Sequence, residues 1–388
     1  MRADYKRFTV FWLLLTALGQ AGLAGFNVLV DPAGAFPVCH LKLFEPLRYL
    51  DSDRTAKAEM ARRGDWQTII LGSSRAQIGF PATHQVLVTN HSCNLGLAGV
   101  RFPEMVAAFD FTHRLNPLRR VILCLDLYMF CEGSQWKEDF QESRFNPGFG
   151  RFQYYCKHLF GRVSTDRAWE ALCRKLRHYQ PEAGSTCGFF HPELGARVSQ
   201  RKLFDGGLHV HGLDYPGLKL APSSMALLRH VVRVCRDEHT DLRLVIMPPH
   251  ALDVELLHAS GRWPEFEQWK SDLVELLAKE GVEGQFGLWD FTGYAGPPSE
   301  AVPAFNDMTN RMSFYLENSH FTPRVGGLIL DTLFGSGGTN AFGARLDRAS
   351  LKPHLARILE DRAAYVRANT TEIAWVRQIL AEAALRKK

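Results

Sequence analysis

Short apolar runs bounded by turn-forming residues constrain the fold of this 388-residue chain more than any other feature. They alternate with segments in which apolar residues recur at helical spacing. Short buried strands that alternate with helices indicate a parallel sheet covered on both faces. The sequence therefore predicts an α/β fold, a three-layer sandwich with a central parallel sheet. The expected strands are 68–71, 92–97, 121–127, 242–247 and 286–291, and the expected helices are 53–63, 103–115, 223–237 and 266–281.

The N-terminus carries an uncharged run of 23 residues from Phe8 to Val30, preceded by three Lys and Arg residues. As a helix this run is about 35 Å long, which is enough to cross a bilayer core of about 30 Å. The basic flank predicts a cytoplasmic tip at 1–7, a transmembrane anchor at 8–30 in the cytoplasmic (inner) membrane, and a main domain on the periplasmic or extracellular side. A cleaved signal peptide is the alternative, and it leads to the same compartment.

Composition divides the rest of the chain into further regions. A proline-containing stretch at 31–60 is expected to be an extended stem, and 61–333 is expected to form the sheet domain. Residues 131–217 are rich in aromatic residues and glycine, with one helical patch, "DRAWEALCRKLRHY", and are expected to be an irregular insertion between the third and fourth strands. A flexible break, "FGSGGTN", precedes a helical tail at 341–388.

Charge and composition exclude several kinds of partner. The formal net charge is +5, which is modest and taken to be spread along the chain, so no nucleic-acid partner is predicted. Eight cysteines form neither a CxxC pair nor a regular framework.

His209 and His211 with Asp205 suggest a metal site, but a strand would place both imidazoles on one face of an exposed loop. We therefore expect neither a metal nor an organic cofactor.

The first predicted strand ends in a turn with two hydroxyl groups, "IILGSSR" at 69–75. Ligands of an open parallel sheet bind at the carboxyl ends of its strands, where Ser73 and Ser74 are placed. A helix that begins after this turn offers free amides that favour an oxyanion beside a serine oxygen. Helix capping is the alternative role for either serine.

A serine nucleophile needs a base, and the base needs a group that orients it. His320 lies three residues after Glu317 in "YLENSHFTPRVGGLIL", just before a helix expected from about Pro323. In such a turn the carboxylate can hold the imidazole nitrogen that faces away from Ser74. The order of these residues along the chain favours a triad of Ser74, His320 and Glu317, and a surface turn is the alternative.

These motifs resemble the SGNH or GDSL hydrolase superfamily over about residues 30–332. Gly72-Ser73-Ser74 is similar to its Gly-Asp-Ser block and Glu317-Asn318-Ser319-His320 to its Asp-x-x-His block, with "CNLGLAG" and "VILCLDLYMF" in the places of the second and third blocks. The stretches "DPAGAF", "GSSR", "VIMPPHA", "WDF" and "SHFTP" resemble the envelope branch of the superfamily. That branch includes the alginate O-acetyltransferases and the D-alanyl transfer protein of lipoteichoic acid synthesis.

The resemblance implies an SGNH-hydrolase-like sandwich and an oxyanion hole made by the amides of Ser74 and Gly99 and the side chain of residue 126. The superfamily has Asn at that last position, whereas this chain has Asp126, and an ionised carboxylate is an acceptor only. Loss of one oxyanion donor costs about 2.7 to 4 kcal/mol of transition-state stabilisation. The implied partners are an envelope polysaccharide or other glycan acceptor, and a membrane-bound O-acyltransferase that delivers the acyl group.

Further residues are candidates for substrate contacts. Arg75 either binds an anionic substrate group or pairs with Asp126. His250, which follows the fourth strand in "PPHA", either lines the site or is a satisfied loop histidine. Aromatic residues of the insertion could form a platform for sugar rings, with no more than two of them exposed. They are Trp136, Phe145, Phe149, Phe152, Tyr154 and Tyr155.

Together these features predict a membrane-anchored, periplasm-facing acyltransferase or esterase that acts on acyl esters, expected to be acetyl, of an envelope polysaccharide. Ser74 would take the acyl group, and His320 would carry the proton to and from the leaving oxygen. One alternative is a catalytically silent SGNH-fold scaffold or glycan-binding subunit of a polysaccharide synthesis complex. A plain secreted lipase or esterase is a third interpretation.

Overall fold

The computed structural model describes residues 2–37, 41–49, 53–81, 83–133, 137–181, 187–190, 198–335 and 342–386. The chain forms two compact units. The first, here called the helical unit, comprises Met1–Gly64 and Lys137–Gly188. The second, here called the sheet unit, comprises Asp65–Trp136 and Phe189–Lys388.

A six-stranded, mostly parallel sheet lies at the centre of the sheet unit. Its strands are β1 (Thr68–Leu71), β2 (Ser92–Asn94), β3 (Arg120–Leu125), β4 (Asp241–Ile246), β5 (Gly287–Asp290) and β6 (Ala344–Leu346). Their order is β2-β1-β3-β4-β5-β6, with β1 to β5 parallel and β6 antiparallel to β5. All of β1 and all but the first residue of β3 are buried, so both faces of the central strands are covered. The predicted α/β class and the five predicted strands are confirmed.

Helices make up most of the remaining described structure. They are α1 (Arg2–Val30), α2 (Arg54–Arg63), α3 (Ser74–Gly79), α4 (Gln85–Val88), α5 (Phe102–His113), α6 (Glu138–Gln141), α7 (Arg151–Phe160), α8 (Arg162–Leu176), α9 (Gln200–Asp214), α10 (Pro222–Asp237), α11 (Ala251–Ala259), α12 (Trp263–Lys279), α13 (Pro323–Phe334), α14 (Leu351–Ala368) and α15 (Thr370–Arg386). The four helices predicted beside the strands are confirmed, with ends that differ by at most three residues.

The helical unit contains α1, which is long and apolar enough to cross a membrane. Residues 5–22 of α1 are exposed, whereas most of 23–30 is partly or fully buried, and α1 packs against α7 and α8. The unit buries charged groups around Glu59, which accepts from the Tyr154 hydroxyl at 2.6 Å and pairs with Arg62 and Arg144.

The predicted stem is wrong in its conformation. Its described part contains a 3-10 helix at Lys42–Leu47, where an extended chain is predicted, and α2 is the helix predicted at 53–63. Its first turn is fixed by the buried carboxylate of Asp31, which accepts from the amides of Ala35 at 2.7 Å and Phe36 at 3.2 Å. These local bonds replace the extended backbone that proline and glycine predicted.

The insertion at 131–217 lies between the third and fourth strands, as predicted, and its predicted helical patch falls largely on α8. Its irregular conformation is wrong, because it contains α6, α7, α8 and α9, and it is divided between the two units. Among the described members of the six aromatic residues proposed as a platform for sugar rings, Phe145 and Tyr154 are each 1% exposed, and Phe152, at 81%, is the one that is largely exposed. Trp136 lies outside the described residues.

The C-terminal tail is confirmed as helical, but it belongs to the sheet unit, whose strand β6 lies beyond the predicted boundary at residue 333. Helix α15 packs against α9 and α11. A three-residue strand with one buried side chain is too short for its pattern to be visible in the sequence. The predicted flexible break begins at the end of α13, and its residues 336–340 lie outside the described part of the chain.

A buried charge network ties this tail to the sheet. Lys270 on α12 and Asp290 at the end of β5 are both fully buried, and their Nζ and Oδ2 atoms are 2.7 Å apart. Lys270 also donates to Thr292 Oγ1 at 2.8 Å, and His354 of α14 contacts Asp290 Oδ2 at 2.8 Å. Burial raises the pKa of Asp290, but the charges and hydrogen bonds of Lys270 and His354 lower it more, to below its usual range.

Replacing Lys270 by Met should destabilise the sheet unit by about 3 to 5 kcal/mol, because the buried Asp290 carboxylate loses its principal counter-charge. Lys279→Met, at the exposed end of the same helix, should change the free energy of unfolding by no more than about 0.5 kcal/mol. Urea unfolding of both variants measures the difference. Equal midpoints for the two variants would contradict the assigned role of the network.

Candidate active site

The two serines after β1 have different roles in the structure. Gly72 ends the strand without a side chain, since a Cβ there would lie 2.7 Å from the Cβ atoms of Ala76 and Cys124. Ser73 is the N-cap of α3, and its Oγ accepts from the Arg75 amide at 3.2 Å. Ser74 is the first residue of α3 and is half-buried. Capping therefore belongs to Ser73, and the Ser74 hydroxyl is left for another contact.

His320 is held by a turn between two buried aromatic residues. Tyr315 and Phe321 form an antiparallel bridge and are both fully buried. Within this bridge the amide of Leu316 donates to the His320 carbonyl at 2.8 Å. Helix α13 then begins at Pro323, as predicted, because proline suits the first turn of a helix.

The structure brings Ser74, His320 and Glu317 together. His320 Nε2 lies 2.7 Å from Ser74 Oγ, and His320 Nδ1 is hydrogen-bonded to Glu317 Oε1. Glu317 also accepts from the amides of His320 at 2.7 Å and of Ser319 at 3.1 Å. Two residues 246 positions apart in the chain are thus in direct contact.

Protonation states follow from these bonds. Burial raises the pKa of Glu317, but the hydrogen bonds and charge of His320 and the two amides lower it more, so its pKa lies below the usual value. An ionised carboxylate only accepts, so Nδ1 of His320 carries a proton, and Nε2 of the neutral ring is the nitrogen that can accept from Ser74. This tautomer is the one in which an imidazole can remove a proton from a hydroxyl.

Asp126, at the end of β3, is engaged by two donors. Its Oδ2 accepts from Ser73 Oγ at 2.6 Å, and its Oδ1 pairs with Arg75 NH1 at 2.6 Å. Both oxygens are acceptors, so this side chain supplies no donor to an oxyanion. Arg75 is nine-tenths buried, and of its two predicted roles the structure contains the pairing with Asp126.

The loop after β2 lies beside the serine turn, because the amide of Leu97 donates to the Gly72 carbonyl at 2.9 Å. Asn94, the last residue of β2, donates through its side-chain amide to the carbonyls of Ala76 and Phe80 at 2.8 and 2.9 Å. Gly99 in this loop is exposed and has φ of 58°, a conformation that favours glycine. Its role as an oxyanion donor stays a prediction.

Of the two roles predicted for His250, the structure contains the satisfied histidine and not a residue that lines the site. Its side chain is fully buried, with Nδ1 accepting from the Leu252 amide at 3.2 Å and Nε2 donating to the Glu300 carbonyl at 2.7 Å. Burial lowers its pKa to about 4, so the ring is neutral. His250 is the N-cap of α11, and both its nitrogens are occupied.

The exposed strand expected at His209 and His211 is wrong as well, since both residues lie on α9. Positions two apart on a helix point in different directions. His209 Nε2 contacts Glu382 at 3.0 Å, whereas His211 Nδ1 contacts Asp253 Oδ1 at 2.7 Å. Within the described part of the chain no group of ligands could hold a metal ion.

A second polar cluster, formed around Asp253, was missed by the sequence analysis. Besides His211, the fully buried Asp253 accepts from the Tyr215 hydroxyl at 3.0 Å and the Asn318 side-chain amide at 3.1 Å. Arg75 NH2 is 3.8 Å from it. The cluster therefore connects the residue after Ser74 with the residue after Glu317. The sequence singled out His211 and Arg75 for other roles, and Asn318 lies inside the "ENSH" motif, but no pattern pointed to Asp253.

Gly207 lets α9 approach the acid turn. A Cβ at this position would lie 1.8 Å from Asn318 Oδ1 and 2.9 Å from Glu317 Oε2. The neighbouring Gly206 has no atom within 4 Å of its own Cβ position. The close packing of α9 against Glu317 and Asn318 thus requires glycine at one of the two positions only.

No protein-family model matches this sequence, and no curated protein matches it. The resemblance of the motifs to SGNH hydrolases therefore stays a prediction.

Gly207→Ala should destabilise the sheet unit by about 1 to 3 kcal/mol, because the new methyl group must displace Asn318 or Glu317. The adjacent substitution Gly206→Ala is the matched control and should gain up to about 1 kcal/mol of helix propensity. The free energies of unfolding of both variants give the comparison. The same effect from both substitutions would show that α9 does not restrain the acid turn.

The His211 and Asp253 pair should be visible in an NMR titration. Burial lowers the pKa of His211, but the charge and hydrogen bond of Asp253 raise it more, to above the usual 6.5. The stabilisation from the pair is therefore complete below pH 6.5 and is lost as the pH rises through the folded-state pKa. Asp253→Asn should lower the pKa of His211 and leave the titration of His209, which contacts Glu382, unchanged. An unchanged His211 pKa in this variant would exclude the pair as the cause.

Proposed function

We propose that this chain is a membrane-anchored, SGNH-type acyltransferase or esterase that acts on acyl esters, expected to be acetyl, of an envelope polysaccharide. The single observation that carries the proposal is the contact between Ser74 Oγ and His320 Nε2 at 2.7 Å, with Glu317 on the other ring nitrogen. The α/β fold and the site at the carboxyl ends of parallel strands support the three-layer, SGNH-like architecture that the motifs imply.

The geometry supports a two-step acyl transfer. Ser74 Oγ attacks the carbonyl carbon of the donor ester while its proton passes to His320 Nε2. The tetrahedral intermediate collapses, and the leaving oxygen takes that proton. A sugar hydroxyl then attacks the acyl-Ser74 ester and gives its proton to His320, which returns it to Ser74 as the serine is released. Water in place of the sugar hydroxyl gives hydrolysis.

Ionised Glu317 keeps the imidazole in the required orientation and stabilises the imidazolium formed in each step. The proposed oxyanion donors are the amides of Ser74 and Gly99. Asp126 adds no donor, but its charge is paired with Arg75 at 2.6 Å, so it does not place an unpaired negative charge beside the developing oxyanion. No metal or organic cofactor is needed in this sequence of steps.

The location proposed for this activity is the outer side of the cytoplasmic (inner) membrane, with α1 as a single-pass anchor and the sheet unit in the periplasm or extracellular space. The length and apolar composition of helix α1 support the anchor, and the basic residues before its apolar run favour a cytoplasmic N-terminus. A membrane-bound O-acyltransferase as acyl donor is the partner that the resemblance implies.

A catalytically silent scaffold or glycan-binding subunit is the second candidate function. The observation that favours it is Asp126, an acceptor at the place where the superfamily has a donor. The intact contact between Ser74 and His320 favours the enzyme, because a protein that only binds glycans has no need of that alignment.

Labelling with a fluorophosphonate probe tests the proposal. The native chain should be labelled, and Ser74→Ala should lose at least about 99% of the labelling, because the probe bonds covalently to an activated serine oxygen and alanine has none. Ser73→Ala is the matched control: it loses a helix cap, worth about 1 kcal/mol, but should keep the labelling. A native protein that is not labelled, or equal labelling of Ser74→Ala, would favour the scaffold.

Transfer and hydrolysis are separated by a second assay on the same samples. Acetylated donor and a glycan acceptor are incubated with the native chain, and acetyl groups on the glycan and free acetate are both measured. Transfer to the glycan supports the acyltransferase. Rapid release of acetate from soluble nitrophenyl acetate, with no transfer, would favour the plain esterase.

A further inference from the structure

The exposed part of α1 is too short to cross a bilayer alone. Its uncharged, exposed segment from Phe8 to Gly22 has 15 residues and is about 22 Å long. A helix that crosses a hydrocarbon core of about 30 Å needs roughly 20 residues. Counted from Phe8, such a segment ends at Asn27. Residues 23–27 must therefore also lie at membrane depth, although the structure already packs this part of α1 against α7 and α8.

Asn27 fixes the position of the turn between these two helices. Its side-chain amide donates to the Leu159 carbonyl at 2.9 Å and to Thr165 Oγ1 at 3.0 Å. Leu159 is in the last turn of α7, and Thr165 is in the first turn of α8. The corner between them, Phe160–Val163, is therefore at the level of α1 where the hydrocarbon core ends.

Both helices lead away from the bilayer as they leave this corner. On α7, Tyr155 stacks against Phe36, with ring centroids 6.1 Å apart. Phe36 lies nine residues after Asn27, beyond the end of α1. On α8, Ala168 and Ala171 share a core cluster with Val30, at the outer end of α1. Helices α7 and α8 together are here called the α7–α8 hairpin. The corner is thus the part of this hairpin nearest the bilayer.

The corner presents the side chains that suit a lipid interface. Phe160 is 46% exposed and Val163 is 53% exposed, and the Arg162 side chain between them is 92% exposed. Apolar side chains next to a basic one can enter the boundary of the hydrocarbon while the charge stays among the headgroups.

The hairpin also carries the net charge of the chain. Residues 151–179 contain seven Lys and Arg against two Asp and Glu, a net charge of +5, which equals that of all 388 residues. The rest of the chain is neutral overall, with 39 Lys and Arg against 39 Asp and Glu. Lys157 and Arg167 pair with Glu142 and Asp53 outside the segment. Arg162 at the corner pairs with Asp166 across solvent, which is a weak interaction, so Arg162 is placed to attract anionic lipid headgroups within about one Debye length.

We propose that the corner Phe160–Val163 inserts into the headgroup layer of the bilayer beside α1, with anionic phospholipid as the ligand of the basic α7–α8 hairpin. This second contact fixes the tilt and rotation of the helical unit on the membrane. The inference rests on the proposed anchoring by α1 and is independent of the chemistry at Ser74.

Photo-crosslinking of the full chain in liposomes tests this contact. The photoreactive residue p-benzoylphenylalanine replaces Val163 in one variant. In the matched control it replaces Val88, which is 60% exposed on the sheet unit, and in the positive control it replaces Leu14 of α1, which is 60% exposed. Intact mass first establishes that α1 is retained. The liposomes contain phosphatidylcholine and phosphatidylglycerol at a ratio of about three to one, and lipid adducts are counted by mass.

Val163 should give at least about five times more phospholipid adduct than Val88, approaching Leu14. Pure phosphatidylcholine should lower the Val163 adduct about twofold and leave the Leu14 adduct unchanged, because only the corner depends on anionic headgroups. Adducts at Leu14 together with background levels at Val163 would overturn the inference and leave the anchor intact. Background levels at both would reject the anchor itself. In native membranes, a protein adduct at Val163 in place of lipid would also overturn the inference.

Discussion

The parallel pairing of β1 with β2 on one side and β3 on the other determines what meets at the candidate active site. Ile70 of β1 is in register with Asn94 of β2 and Ile122 of β3, so the three strands end at one edge. The strand order reverses here, and the connections after β1, β2 and β3 converge at this topological switch point. The serine turn, the Gly99 loop and Asp126 are neighbours for this reason, although 52 positions separate Ser74 from Asp126 in the chain.

The sequence predicted the parts of this site that follow from local pattern. After their first residues, β1 and β3 contain only apolar residues. The serine turn and the acid turn each lie beside a recognisable strand or helix boundary. The contact between Ser74 and His320 was predicted from chain order. By contrast, His211 pairs with Asp253 of another helix, 42 positions away in the chain. No pattern of neighbouring residues in the sequence predicts this contact. The two glycines before His209 and His211 favoured a loop, whereas Gly207 is needed for close packing of a helix.

The helical unit was poorly predicted for a related reason. Proline and glycine in the segment after α1, and the aromatic residues around α7, are typical of irregular chain. The first turn after α1 is instead held by local hydrogen bonds, in which the Asp31 carboxylate accepts from the amides of Ala35 and Phe36. The helices of the insertion are held by tertiary bonds such as that from Tyr154 to Glu59, which are 95 positions apart. Hydrophobic periodicity reveals neither kind of bond.

Asp126 shows how a departure from a motif can be compatible with the chemistry around it. An asparagine there would donate one hydrogen bond to an oxyanion, whereas the aspartate accepts from Ser73 and pairs with Arg75. In the proposed mechanism the lost donor would weaken oxyanion stabilisation. Asp126 also binds Ser73, the cap of α3, and Ser74 is the next residue. Arg75 lies 3.8 Å from Asp253, whose other partners include Asn318, next to Glu317. The Asp126 carboxylate is therefore part of the network that holds Ser74 and the acid turn in place.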